Sequence, residues 1–348
     1  MSNDNQLNIR KFASANGFSG FRSYFPQIYS PQMHKRVFIL KGGPGTGKST
    51  LMKKIYDKGI EWGAAGELFY CSSDTRSLDG VILQNGENSV AVIDGTAPHI
   101  TDPILPGARD EIVDLGIAFD TNGLTGAYDE LLKLNEKKIS AYSKAYEYLS
   151  QSAVFDSKIK AEIKLNFDYA SAISYINNLI DGAFTTESGT RSIRLVSSFS
   201  SDGYEMFGKK NTFPSDVQIR SKGVYCALAD RILTVRGIRH TAYVNALDGE
   251  LCDAIDCPSI GIYLNKLISC SDTVPSFLPH GSEEKIMAEY AWEYETLNSL
   301  LCKAAEQLDC ARNYHVNIEG IYGRYVDFER IDQIGNSLCE RINFYLYG

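Results

Sequence analysis

The segment FILKGGPGTGKSTLMKKI, residues 38–55, joins an apolar run to a glycine-rich stretch and then to an amphipathic one. The run Val37–Leu40 is typical of a buried strand, and we predict a strand over 36–41. Beyond the glycines, apolar residues recur at helical spacing through Ile55, and Gly59 is suited to end the helix in a left-handed conformation. The segment therefore predicts a strand, a loop and a helix in succession.

The loop carries the complete pattern of a phosphate-binding P-loop, in which Gly42 and four further residues precede Gly47, Lys48 and Ser49. Glycine is needed because backbone N–H groups must turn inward around a phosphate, where a Cβ would block the approach. Lys48 is predicted to bind the β- and γ-phosphates, and the Ser49 hydroxyl to bind Mg²⁺. The predicted nucleotide-binding residues are Gly42, Gly43, Pro44, Gly45, Thr46, Gly47, Lys48, Ser49 and Thr50.

A second apolar strand supplies the carboxylate that a magnesium–nucleotide site requires. Residues 90–93 form a buried run that ends at Asp94, to which we assign the Walker B role of holding Mg²⁺. The alternative for Asp94 is a plain turn aspartate before Gly95. Many ATP-hydrolysing motors place a glutamate where Gly95 stands, so the group that activates water must come from elsewhere, or turnover is slow.

Polar residues follow a third apolar run, Leu68 to Cys71. Ligands of open α/β sheets bind at the carboxyl ends of the strands, so Asp74 is our first candidate for orienting water or deprotonating a hydroxyl group. Its alternative role is a helix cap or a turn. Lys48, Asp74 and Asp94 are thus the predicted catalytic residues.

Four more side chains are weaker candidates for the same site. His99 and Asp102 follow the Asp94 strand and could sense the γ-phosphate, although the neighbouring prolines equally suit a rigid connector. Arg76 and Arg109 could neutralise transition-state charge, with a surface arginine as the alternative for each.

Composition is that of a globular chain long enough for two domains. The 348 residues are 44% hydrophobic and 22% charged, and no apolar run approaches the roughly 20 residues that cross a bilayer. The first residues lack the apolar core of a signal peptide, so we expect a cytoplasmic protein. A net charge of −8 argues against a broad grip on nucleic acid, and eight cysteines without a CxxC pair are expected to be reduced thiols.

Helical arms are predicted in both parts of the chain. We expect a P-loop domain at 1–184 with an arm at about 127–180, a linker at 185–192, and a second domain at 193–348 with an arm at about 282–345. The first arm has an apolar seam for a partner helix, and the second has an apolar stripe that either packs in the core or joins two copies of the chain. The seams are Ile139, Tyr142, Tyr146 and Leu149 in the first arm, and Tyr290, Tyr294, Leu297, Leu301, Ala304, Leu308 and Ala311 in the second.

Four short segments of the first half recur in the same order after the linker, which predicts an internal duplication. The pairs are IRKFASA and IRLVSSF (from Ile9 and Ile193), KIYDKGI and RILTVRGI (from Lys54 and Arg231), SSDTRSLDGVI and ALDGELCDAI, and NFDYASAI and YVDFERI (from Asn166 and Tyr325).

The P-loop itself is not repeated. The second pair aligns Ile55 with Ile232, which places Val224–Ala227 opposite Gly47–Thr50 and supplies neither a phosphate-binding lysine nor a metal-binding hydroxyl. The counterpart of the Asp94 strand, SIGIYLNKL, has no aspartate. We therefore expect the second half not to bind a magnesium nucleotide.

With both halves in view, the chain resembles a family of bacterial ATP-binding proteins with tandem P-loop NTPase-like halves. The resemblance rests on KGGPGTGKSTLMKKI, CSSDTRSLDGVI and DGTAPHITDPILPGARDEIVDLG, which start at Lys41, Cys71 and Asp94. It implies a three-layer α/β/α fold, duplicated, with helical arms in each half. Members often keep a P-loop in the second half, and its loss here calls a two-site mechanism into question.

Three functions follow from these observations. The leading hypothesis is a Mg²⁺-dependent ATPase whose second half senses nucleotide or binds an unidentified partner. The second is a small-molecule or nucleotide kinase in which Asp74 deprotonates an acceptor hydroxyl group. The third is a binding module that ATP switches without turnover.

Overall fold

The computed structural model of the chain describes residues 10–183, 186–206, 209–210, 216–262 and 275–348. They form a mixed α/β fold. In chain order the strands are β1 Lys11–Phe12, β2 Ser14–Gly17, β3 Gly20–Ser23, β4 Arg36–Lys41, β5 Ala65–Tyr70, β6 Leu78–Asn85, β7 Asn88–Asp94, β8 Asp110–Asp114, β9 Arg191–Arg194, β10 Ser197–Ser200, β11 Gly203–Met206, β12 Lys209–Lys210, β13 His240–Val244 and β14 Cys252–Asp256. The helices are α1 Phe25–Ile28, α2 Lys48–Glu61, α3 Thr121–Gly126, α4 Tyr128–Asn166, α5 Tyr169–Asp181, α6 Val217–Val235, α7 Ser282–Glu289, α8 Ala291–Tyr322 and α9 Phe328–Tyr347.

The chain divides into two compact units, and each is built from two separate stretches of sequence. The P-loop unit, named after its sequence motif, comprises Ser23–Ser143 and Gln307–Gly348; the companion unit comprises Met1–Arg22 and Lys144–Glu306. These units do not coincide with the contiguous domains expected at 1–184 and 193–348. The difference arises because the long helices α4 and α8 each contribute residues to both units.

The sheet of the P-loop unit contains the strands expected around the glycine-rich loop. Its strands lie in the order β5-β6-β7-β4-β8. The central strand β4 runs parallel to β7 and β8, whereas β6 is antiparallel to both of its neighbours. The strand predicted over 36–41 and the buried strand ending at Asp94 are both confirmed.

Helix α2 covers one face of this sheet and extends further than predicted. Gly59 does not end it, because the helix continues to Glu61 and Gly63 adopts the left-handed conformation with φ of 89°. Gly59 is instead required by packing, since a Cβ there would lie 2.4 Å from Cδ2 of the buried Leu83. Helix α9 joins α2 over the sheet and adds Leu338 and other apolar residues to the same core.

The companion unit contains a smaller three-stranded sheet. Strand β13 lies at its centre, parallel to β9 and antiparallel to β14, and helix α6 packs on this sheet. Strands β10, β11 and β12 form an antiparallel sheet, and β2 pairs with β3. Ala229, Leu233 and Ala242 are fully buried in this unit, which gives it an apolar core of its own.

Both predicted arms are helical, with one corrected seam. The stretch predicted at 127–180 forms α4 and α5, separated at residues 167–168. Ile139 is 58% exposed and does not belong to a seam, whereas Ala145 and Leu149 are fully buried. The second seam is confirmed as a buried stripe from Tyr294 onward. Among the described residues, no helix combines the length and the apolar character needed to cross a membrane.

Candidate functional site

The glycine-rich loop joins the end of β4 to the start of α2, in the middle of the P-loop unit. Gly45 and Gly47 have φ angles of 74° and 77°. These angles lie in the left-handed region, which residues other than glycine rarely adopt. A Cβ at Gly42 would lie 3.0 Å from both Cβ of Leu115 and Oγ1 of Thr46. The loop therefore needs glycine at these positions for its own path.

The start of α2 is open to an acceptor from outside the chain. Its N-cap residue is Gly47, and no side chain among the described residues caps the helix there. The first N–H groups of a helix have no partner within it, and they carry the positive end of the helix dipole. The N-terminus of α2 thus has the chemistry that binds a phosphate group.

Lys48 and Asp94 meet beside this helix start. The Lys48 Nζ donates to the carbonyl oxygens of Gly42 (2.8 Å) and Gly43 (3.0 Å) and lies 3.7 Å from Oδ2 of Asp94. Thr96 fixes the carboxylate by donating to Asp94 Oδ1 from its backbone N (2.8 Å) and Oγ1 (2.6 Å). Both charged side chains are largely buried, so their attraction is screened less than at a surface.

Ser49 lies next to Lys48 in the first turn of α2. Its Oγ accepts a hydrogen bond of 2.9 Å from the backbone N of Leu78, the first residue of β6. A hydroxyl oxygen has two lone pairs, so one remains for a cation. A carboxylate and a hydroxyl group are oxygen donors of the kind that Mg²⁺ prefers, and the chemistry of Ser49 and Asp94 fits that ion.

Asp74 is held by its neighbour in a tight local arrangement. Its Oδ1 accepts from Nε (2.9 Å) and the backbone N (3.2 Å) of Arg76, and its Oδ2 accepts from Nη2 (3.1 Å). Burial acts to raise the pKa of Asp74, but the hydrogen bonds from Arg76 outweigh it and lower that pKa overall. A carboxylate with these partners is a weak proton acceptor near neutral pH.

The weaker candidates take up different positions. Arg109 is buried and donates to the backbone oxygens of His34 and Tyr29, so it stabilises the core instead of facing the loop. Asp102 has a highly exposed side chain, 3.6 Å from Nζ of Lys41. His99 is buried and lies 3.0 Å from Asp79.

Three residues that sequence analysis did not identify lie against the loop. A Cβ at Gly45 would lie 2.7 Å from the carbonyl oxygen of Glu319, in the last turns of α8. A Cβ at Gly43 would lie 3.2 Å from the ring of Phe119 and 3.3 Å from that of Tyr322. These two rings also contact each other, with centroids 5.4 Å apart. No local pattern identifies these residues, because they approach the loop only after the chain has folded.

Glu319 carries a carboxylate that pairs with a histidine of the same helix. Its Oε1 lies 3.5 Å from Nε2 of His315, one turn earlier in α8. The hydrogen bond to His315 lowers the pKa of Glu319, with a further contribution from the charge of Lys48, whereas burial and the charge of Asp74 act in the opposite direction. Glu319 is therefore ionised at neutral pH and interacts electrostatically with the P-loop lysine.

The loop that carries Asp74 has a counterpart in the companion unit. Residues 71–77 join β5 to β6, and residues 245–251, equal in number, join β13 to β14. Both hairpins have a register irregularity next to the loop. In each, the first loop residue donates its N–H to the carbonyl oxygen of the last, and an aspartate, Asp74 or Asp248, accepts the N–H two residues later.

The preceding helices, α2 and α6, end in the same way. Three successive backbone N–H groups at each end donate to equivalent carbonyl oxygens, and the glycine in the middle is left-handed. These donors are Trp62, Gly63 and Ala64 after α2, and Arg236, Gly237 and Ile238 after α6.

These matched bonds favour an alignment that differs from the one expected from the sequence. They place Gly63 opposite Gly237, which we call the glycine alignment, and not Ile55 opposite Ile232. In the glycine alignment the residue opposite Lys48 is Lys222, so Val224–Ala227 do not face Gly47–Thr50 as expected.

Lys222 cannot serve as a P-loop lysine, because α6 begins at Val217 and Lys222 lies inside the helix. Part of the stretch SIGIYLNKL, residues 263–267, lies outside the described residues, so its missing counterpart of Asp94 stays a prediction.

The assignment of the site rests on the loop, on Lys48 and on the carboxylates around it. Comparison of the chain with protein-family models, with curated proteins and with solved structures gave no significant match.

Proposed function

We propose that the chain is a Mg²⁺-dependent, ATP-binding P-loop NTPase that hydrolyses ATP in its P-loop unit. The observation that carries this proposal is the position of Lys48. Its Nζ donates to the carbonyl oxygens of Gly42 and Gly43 and lies 3.7 Å from Oδ2 of Asp94. Lys48 also begins helix α2, whose N-terminus no described side chain caps. A lysine, a carboxylate and open backbone N–H groups form the set that a nucleoside triphosphate with Mg²⁺ requires.

Each of these groups has a defined task in the proposal. The N–H groups of the loop and of the first turn of α2 bind the β-phosphate, and Lys48 leaves the loop carbonyls to bind the β- and γ-phosphates. Asp94 and Ser49 hold Mg²⁺, which neutralises charge on the phosphate oxygens. Thr96 keeps the Asp94 carboxylate oriented throughout.

Glu319 is our candidate for positioning the attacking water. Gly95 follows Asp94, so the glutamate that many motors use is missing there. The backbone of Glu319 in α8 lies beside Gly45, and the charge of Lys48 contributes to the lowered pKa of its carboxylate. Asp74 is less suited to the task because Arg76 occupies its carboxylate oxygens.

We also propose that the companion unit contains a degenerate copy of the same supersecondary structure, as in the tandem P-loop family that the sequence resembles. The matched hydrogen bonds of the glycine alignment support this. The side chain of Asp216 caps α6 by accepting from the backbone N of Gln218 (2.8 Å) and Ile219 (3.4 Å). A built-in carboxylate therefore occupies the helix start that a phosphate would need, and this copy has a regulatory or partner-binding role.

Release of inorganic phosphate from ATP tests the proposal. The wild-type protein with Mg²⁺ is expected to release phosphate without an added acceptor, and Lys48→Ala is expected to lose about 100-fold or more of that rate. The matched control is Lys222→Ala, which removes the same side chain from the corresponding position in α6 and should leave the rate unchanged.

Other outcomes separate the alternatives. Phosphate release that is equal in the wild type and Lys48→Ala would contradict hydrolysis at this loop. ADP formation that depends on an added hydroxyl acceptor would favour a kinase. Tight ATP binding without turnover over hours would favour a binding module that ATP switches.

A further inference from the structure

We propose that Cys71, Asp79 and His99 form a binding site for a zinc-type transition-metal ion, separate from the Mg²⁺ site at Ser49 and Asp94. All three residues belong to the P-loop unit. The inference does not depend on ATP binding, because none of the three contributes to the phosphate-binding loop.

The sheet brings these residues together from three places in the chain. Cys71 is the first residue after β5, and Asp79 is the second residue of β6. The two strands are antiparallel neighbours, with Tyr70 opposite Leu78. His99 lies in the connection that follows β7, on the other side of β6. The donors therefore converge at one edge of the sheet.

The donor atoms are spaced for a shared ion after a small adjustment. The Sγ of Cys71, a carboxylate oxygen of Asp79 and a ring nitrogen of His99 all lie within 4.8 Å of one another. His99 Nε2 and Asp79 Oδ2 are 3.0 Å apart. Tetrahedral zinc bonds of about 2.0–2.3 Å place neighbouring donors about 3.3–3.6 Å apart, so the widest pair must close by at most about 1.5 Å.

The environment of the carboxylate favours a cation. Asp79 is 5% exposed, and its Oδ2 has no hydrogen bond of acceptable geometry despite its proximity to His99. A buried carboxylate is costly unless a cation offsets its charge, and a bound metal ion would add to the attraction that His99 provides at 3.0 Å. The His99 ring is held by stacking on Phe25, with centroids 4.6 Å apart and planes 2° from parallel, which directs Nε2 at Asp79.

The donor set selects the type of ion. A thiolate and an imidazole favour Zn²⁺ and related ions, whereas Mg²⁺ and Ca²⁺ prefer sites made only of oxygen. One thiolate and one carboxylate neutralise the charge of a divalent cation, which suits a site where two of the three residues are buried. Cys71 as a whole residue is half-buried. Three protein donors leave a fourth position for water.

The companion unit provides a natural comparison without the thiol. In the glycine alignment, Cys71 and Asp79 correspond to Asn245 and Asp253. Nδ2 of Asn245 donates to Oδ1 of Asp253 at 2.8 Å across the same loop. A carboxamide can therefore bridge this loop to the aspartate without a metal, and Cys71→Asn removes the thiolate while retaining a bond that the fold accepts.

Titration of the full-length protein with Co²⁺ tests the site, because Co²⁺ takes zinc sites and reports its ligands by absorption. The protein is first treated with a chelator and kept reduced. We expect one Co²⁺ per chain, with visible bands of a tetrahedral site and a thiolate-to-cobalt charge-transfer band, and displacement of both by one equivalent of Zn²⁺. Cys71→Asn and His99→Gln are each expected to abolish the charge-transfer band.

Matched controls make the result decisive. Cys302→Ser removes an exposed cysteine and should leave the spectrum unchanged. Lys48→Ala should bind Co²⁺ like the wild type even if it fails to bind ATP, so the two proposals fail separately. Thermal unfolding of each variant without metal verifies its fold. A charge-transfer band that persists in folded Cys71→Asn or His99→Gln, or its absence in the wild type, would overturn the proposal.

Discussion

Helices α2 and α6 end alike and begin differently. Both finish in the same three hydrogen bonds around a left-handed glycine, Gly63 or Gly237, and both lead into a hairpin with a seven-residue loop. At the other end, α2 begins at Lys48 after Gly47, whereas α6 begins at Val217 under the cap of Asp216. The comparison teaches that the proposed binding of phosphate depends on how the helix starts.

The interiors of the two helices also differ. Gly59 in α2 corresponds to Leu233 in α6 in the glycine alignment, and both are buried. In α2 the missing side chain admits Leu83 from β6, whereas in α6 the leucine fills the space itself. Because both positions are buried, we expect this difference to affect stability.

The largest expected effect concerns the carboxylate that acts on water. Glu319→Gln is expected to lower ATP turnover about 100-fold, because the charge that orients water is lost while Lys48 and the loop remain. Asp74→Asn and Asp248→Asn, which alter equivalent loops, should each change turnover less than about threefold. Steady-state phosphate release measures all three, with Glu306→Gln as a control for another glutamate of α8.

A large loss confined to Asp74→Asn would reverse these assignments. The water-positioning role would then return to Asp74, and its bonds to Arg76 would have to open during turnover.

The next effect is on stability. Leu233→Ala should lower the free energy of unfolding by about 2–5 kcal/mol, because it leaves a cavity in the companion unit. Gly59→Ala should lower it by about 1 kcal/mol, since the clash with Leu83 exceeds the gain in helix propensity. Urea denaturation measures both. Gly320→Ala, where a Cβ meets open space in α8, is the control and should not destabilise the protein.

A further effect on stability depends on pH and concerns Asp253, the counterpart of Asp79 in the glycine alignment. Burial raises the pKa of Asp253 to about 7, against the hydrogen bonds from Ser197 and Asn245. The folded state therefore holds a proton that the unfolded state loses at about pH 4. The contribution of Asp253 to the free energy of unfolding is fully present below about pH 4 and is lost as the pH rises through about 7.

Asp253→Asn mimics the protonated form and should remove that part of the slope. Unfolding free energies of the wild type and Asp253→Asn, measured from about pH 4 to 8, give the comparison. Parallel curves would show that Asp253 is ionised in the folded protein throughout this range.

The smallest effect concerns the cap. Asp216→Ala should cost about 1 kcal/mol of stability, because two N–H groups of α6 lose their acceptor. No equivalent substitution exists for α2, whose cap residue is already Gly47. Thermal unfolding measures the cost. A gain in ATP binding by Asp216→Ala would show that the cap alone excludes phosphate from α6.

Local features of the site were predictable from sequence. Strand β4, the loop and Asp94 were found because apolar runs and glycines encode them within a few neighbouring residues. The role of Gly59 was misjudged, since the sequence does not show which side chain packs against a glycine. Glu319 was missed because it is remote from Lys48 along the chain and joins the site only through tertiary packing.

The difference between the two alignments of the proposed halves has a physical cause as well. The expected alignment and the glycine alignment differ by three positions, which is close to one helical turn of about 3.6 residues. Apolar residues of an amphipathic helix recur at that spacing. A match between Ile55 and Ile232 can therefore arise when the two helices are aligned with a shift of about one turn. The left-handed glycines and the matched hydrogen bonds around them have no such periodicity and favour the glycine alignment.

Equilibrium binding of ATP with Mg²⁺ to the whole chain tests the central claim, that one of the two similar helices binds nucleotide. Isothermal titration calorimetry should give one ATP per chain for the wild type and for Lys222→Ala, and no measurable binding for Lys48→Ala. Two ATP molecules per chain, or one that survives in Lys48→Ala, would contradict the account.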